Sequence, residues 1–95
     1  MSEIHEPEAV EIASDRLTLI AAEVGDVLEL LPDQTIRAAG GWIFFYNTQS
    51  FARSGNPLDG LAGNGPLYVT RWGVLHELGT ALPWLEAIEA LGASR

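Results

Sequence analysis

Gly41-Trp42-Ile43-Phe44-Phe45-Tyr46-Asn47 is the densest apolar stretch of the chain, and it is too short for a helix of its own. Its aromatic and β-branched content suits a pleated strand, so it reads as the central strand of a sheet. Side chains alternate along a strand, so Trp42, Phe44 and Tyr46 point one way while Ile43 and Phe45 point the other. Both faces of this strand require cover.

Upstream, Val27 to Leu31 reads as a first strand, Pro32-Asp33-Gln34 as a turn and Thr35 to Ala38 as a short extended stretch. Before these, Ala9, Ile12, Ala13, Leu17, Ile20, Ala21 and Val24 recur at spacings of three and four. That period predicts an amphipathic helix from Pro7 to about Val24. Pro7 fits the first turn, where its missing N–H would be unpaired anyway, and Glu8 and Glu11 sit near the positive end of the helix dipole. Gly25 ends the helix. Downstream, Gln49 to Arg53 suits one helical turn, followed by a glycine-rich loop pinned to the core by Leu58 and Leu61. Pro66 to Thr70 and Val74 to Leu78 form a hairpin about the tight turn Arg71-Trp72-Gly73. Thr80 can cap a last helix with an apolar stripe at Pro83, Leu85, Ile88 and Leu91, leaving Glu86 and Glu89 in solvent. The order helix, four strands, helix implies one α+β domain over residues 1–95. Its expected form is a four-stranded antiparallel meander with the N-terminal and C-terminal helices packed on one face, leaving the other face open.

The 95 residues carry 5 Lys plus Arg against 13 Asp plus Glu, a net charge of −8. Such a surface repels phosphate backbones and anionic lipid, so neither nucleic acid nor a membrane is an expected partner. Without Cys there is no disulfide framework and no thiolate chemistry, and a cytoplasmic protein is the simplest reading. The acidic first twenty residues are the reverse of a signal peptide. With two His, no Cys and no Lys, Schiff-base chemistry and a Walker-type phosphate loop are excluded. His5 lies near the terminus, and His76 alternates with Val74 and Leu78 on the fourth strand, where a lone histidine is ordinarily a packed or surface residue. No paired-histidine metal motif and no Gly-x-Ser-x-Gly elbow occurs. No catalytic residue, cofactor or metal is assigned, and the chain is not expected to be an enzyme.

Three separated motifs are informative together. They are Gly41 to Asn47, then Leu61-Ala62-Gly63-Asn64-Gly65-Pro66-Leu67-Tyr68-Val69, then Leu78-Gly79-Thr80-Ala81. In order and spacing the chain resembles the immunity protein 35 family of bacterial polymorphic toxin systems, with its GW-x-FFY-N strand, LAGN-x-P-x-x-V loop and strand, and GT-A step into the last helix. Two places depart from that pattern: Arg71-Trp72-Gly73, where Asp, Lys and Gly are expected, and Asp33 to Ala39.

The resemblance implies a small protein that neutralises a cognate protein toxin by binding it, as a monomer or homodimer. The acidic balance adds that the toxin presents a basic patch, since opposite charge speeds encounter. Candidate partner-binding residues are the aromatic anchors of an open sheet face, Tyr46, Tyr68 or Trp42 depending on register, with Trp72 at the hairpin tip, Trp84 early in the last helix, and Glu77. Asn47 and Asn64 are expected to bond loop backbone. The alternative is a non-inhibitory adaptor or chaperone-like module that uses the same open face for a client.

Overall fold

The computed structural model describes residues 2–38, 40–56, 58, 60, 65–80 and 83–93. Helix α1 runs over Glu6–Val24 with Pro7 in its first turn. The Glu8 carboxylate accepts from the His5 backbone N–H at 3.4 Å. At the other end Gly25 adopts φ +72° and donates its N–H to the Ala21 carbonyl at 2.9 Å, the left-handed cap that glycine supplies without strain. Strands β1 (Leu28–Leu30), β2 (Ile36–Ala38), β3 (Gly41–Phe44) and β4 (Tyr46–Thr48) follow, then the short helix α2 (Gln49–Ser54). The Thr48 hydroxyl caps α2 by accepting from Phe51 N–H at 3.1 Å. Strands β5 (Leu67–Thr70) and β6 (Leu75–Glu77) form the expected hairpin, and α3 (Trp84–Ala93) closes the order.

The expected four-stranded antiparallel sheet is present, in the order β2-β3-β5-β6. Its first member is the Thr35 to Ala38 stretch, while β1 pairs with β4 in a separate two-stranded ladder. The two ladders are one ribbon interrupted. Leu31 N–H donates to Phe45 O at 2.8 Å between them, and the register slips by the three residues of the 3-10 turn Pro32–Gln34. That turn loops out of the edge, so a chain segment with two strand signals splits around it.

The two terminal helices do not share a face, contrary to expectation. Ala9, Ala13, Leu17 and Ile20 of α1 pack with Phe44, Tyr46, Leu67 and Val69 on one side. Trp84, Ala87, Ile88 and Leu91 of α3 pack with Ile43, Tyr68 and Leu78 on the other. The physical reason is the alternation of the central strand itself: Ile43 and Phe44 are both buried and point in opposite directions, so each side needs its own helix. Ala9 and Ala13 are 0% exposed, and their small side chains let α1 lie close on the sheet. The stripe of α3 is led by Trp84 rather than Pro83 and Leu85, and Leu85 is half exposed. Thr80 lies upstream of the cap, since Ala87 N–H already bonds Pro83 O. Leu58, expected to help pin the glycine-rich loop to the core, is instead 92% exposed, while Leu61 and Asn64 lie outside the described residues.

Two motif glycines have a steric explanation. A Cβ on Gly41 would lie 2.2 Å from Val69 O, and one on Gly65 would lie 1.8 Å from Leu78 O. In both cases the clashing atom is backbone and cannot swing away. Gly41→Ala and Gly65→Ala are each expected to lower unfolding stability by about 1–3 kcal/mol in a denaturant titration, with the m-value unchanged. A loss below the error of that titration at both positions would show that the strands can separate without cost.

Candidate functional site

The six candidate contact residues are dispersed by the fold. Tyr46 is 8% exposed and Tyr68 is 6% exposed, on opposite sides of the sheet. Trp42 is half-buried against the α1 side and Trp84 against the α3 side. The open sheet face expected to present Trp42, Tyr46 and Tyr68 is therefore covered, since helices occupy both sides. His76 sits opposite Tyr68 in the ladder, with ring centroids 5.9 Å apart and planes at 21°, a stacked packing role. Glu77, on the α1 side, is exposed and bonded to Arg16 Nη1 at 2.6 Å.

Trp72 is different. It is 43% exposed, next to the half-exposed Val74, on a turn that is tightly fixed. The Thr70 hydroxyl accepts from Trp72 N–H at 3.3 Å and from Val74 N–H at 3.1 Å, and Gly73 supplies the φ of +84° that the turn requires. The Arg71 guanidinium lies 5.0 Å from the Trp72 ring centroid, a cation–π contact, and its Nε is 3.3 Å from Glu3 Oε1. Ile4 N–H donates to Arg71 O at 2.8 Å, tying the N-terminal segment to the tip. Such a Trp is held in place ahead of any partner's arrival, so binding would order little.

The outer face of α1 is the second notable surface. Glu8, Glu11, Asp15 and Glu23 are exposed at helical spacing on one stripe, and Leu19 stands among them at 60% exposure. Leu19 is legible in the sequence as an apolar residue outside the core period, a signal that core reading passes over. Three arginines are meanwhile engaged with carboxylates: Arg16 with Glu77, Arg37 with Glu6 and Arg71 with Glu3. Positive charge thus joins α1 and the N-terminal segment to the sheet, and the acidic stripe is left to dominate its surroundings.

The Arg37–Glu6 pair is bidentate, with Nη2 at 2.7 Å from Oε2 and Nε bonded to Oε1. The hydrogen bond from Arg37 holds the Glu6 carboxyl below its ordinary value, against a smaller opposing effect of desolvation and with help from the Arg37 charge and the Trp42 indole. Among the described residues no three His, Asp or Glu side chains stand close enough to hold a metal ion. No described helix is long and apolar enough to cross a membrane. A groove of about 690 Å³ lies between α1 and β1, with Leu17, Leu28 and Leu30 among its lining.

The family model described as immunity protein 35 matches residues 7–90, from the first turn of α1 into α3. The chain belongs to the immunity protein 35 family. No curated protein and no solved structure gives a match. In this immunity protein 35 domain the matched span holds both helical layers and every strand, so the architecture described above is that of the family region.

A depressed carboxyl value contributes stability that is present above the ordinary value of 4.5 and is lost as pH falls through the folded one. Glu6→Gln should therefore be less stable than the parent at neutral pH. The gap between their melting curves should close as pH drops below 4.5. A gap that stays constant into acid would remove the pair from the pH response.

Proposed function

We propose that this immunity protein 35 domain binds a cognate protein toxin in the cytoplasm and neutralises it by occupying its surface, without turnover. The observation that carries this reading is the family match over residues 7–90. The charge of −8 and the acidic stripe on α1 support a toxin with a basic patch, since complementary fields raise the encounter rate. A standard interface removes about 800 Å² from each partner, roughly an eighth of the 6021 Å² this domain exposes.

Trp72 is the anchor in this reading, with Glu77 a second contact at the far end of the same hairpin, while Trp42, Tyr46, Tyr68 and Trp84 act by supporting the packed layers. Exposure on a rigid tip favours Trp72.

Co-expression with the product of the adjacent gene should restore growth of a host that this product kills, and the two chains should co-purify. Trp72→Ala should weaken the complex by about 2 kcal/mol, roughly thirtyfold, by calorimetry. Association should slow between about 50 and 500 mM salt while dissociation changes little. No rescue and no co-purification would end the neutralisation reading, and a salt-independent association rate would end the electrostatic part of it.

A further inference from the structure

Among the described residues, strand β1 pairs on one side only, with β4. The bonds from Leu31 N–H to Phe45 O and from Gln49 N–H to Val27 O flank the ladder. In an antiparallel pair the residues that bond across alternate with those that do not. Positions 27, 29 and 31 therefore turn their backbone groups toward β4, and Leu28 and Leu30 turn theirs outward. Nothing among the described residues pairs with them there. This edge borders the groove of about 690 Å³, whose apolar base includes Leu17 and Ala21 of α1 with the Leu28 and Leu30 side chains. Its charged lining residues are Asp26 and Glu29, both acidic.

We propose that the outer edge of β1 accepts an extended, basic segment of a protein partner as an added strand. Main-chain bonds to Leu28 and Leu30 would give the affinity, and alternation would give the selectivity. One set of partner side chains enters the groove beside Leu17 and Ala21 and should be apolar. The other set lies on the Glu29 side, where the carboxylate accepts from Gln49 Nε2 at 2.8 Å through Oε1, and should be Lys or Arg. A second copy of this chain is disfavoured as the occupant, because pairing β1 with β1 would bring Glu29 and Asp26 of two molecules of charge −8 together. The inference rests on the neutralisation reading in one respect: the partner that supplies the segment is the toxin. A toxin held by Trp72 and by β1 would be gripped near both ends of α1.

The test uses the isotope-labelled full chain and a blocked peptide of alternating Val and Lys. On titration the amides of Leu28 and Leu30 should shift and exchange about tenfold more slowly. A peptide N-methylated at its pairing amides should give no protection, and Glu29→Lys, shown folded by circular dichroism, should bind about tenfold more weakly. Shifts that spare Leu28 and Leu30, binding indifferent to N-methylation, no shift up to millimolar peptide, or protection from self-association without peptide would each overturn the proposal. No toxin is present in this test, so its failure and failure of the co-expression assay are separate results.

Discussion

A strand with large apolar side chains on both faces cannot be satisfied by a two-layer structure. Ile43 and Phe44 are neighbours in sequence, both are buried, and they point in opposite directions. Burying each removes something like 1.5–3 kcal/mol of unfavourable hydration, so leaving either side open would sacrifice a large part of the stability of so small a domain. The molecule answers with α1 on one side and α3 on the other. Most other features follow. The alanines of α1 allow a close approach, Gly41 and Gly65 allow strands to meet backbone to backbone, and the arginines lock the first helix and its lead-in to the sheet.

With both sheet faces covered by packing, the proposed recognition falls to other surfaces, among them the hairpin tip, the outer face of α1 and the strand edge. Each is presented on rigid structure: the tip by the Thr70 hydroxyl and Gly73, the α1 stripe by a helix seated on the core, the edge by its ladder to β4. Under the proposed occlusion this would be an advantage, because a preorganised surface loses little conformational entropy on binding. It also separates two roles that the sequence merges, since aromatic residues look alike on paper whether they anchor a partner or fill a core.

Charge partitions in a similar way. The arginines are few, and those at 16, 37 and 71 join α1 or its lead-in to strands or to the hairpin. The carboxylates outnumber them and line the exposed stripe of α1. The excess negative charge is therefore not spread evenly, and a cationic partner would meet it on the helix that also borders the groove beside β1.

The local periods are legible directly. The three-and-four spacing from Ala9 to Ile20 specifies α1, alternation specifies the two faces of the central strand, and Arg71-Trp72-Gly73 specifies the hairpin turn. The family motifs are also visible as residues, and the lack of Cys and Lys narrows the chemistry on composition alone. Tertiary structure alone decided that α3 crosses to the face opposite α1, that Pro32–Gln34 slips the register, and that Tyr46 and Tyr68 are buried while Trp72 is presented. The reason is range. Helix and strand periodicity are set by neighbouring residues, whereas the side a helix takes and the exposure of an aromatic ring depend on segments dozens of positions away.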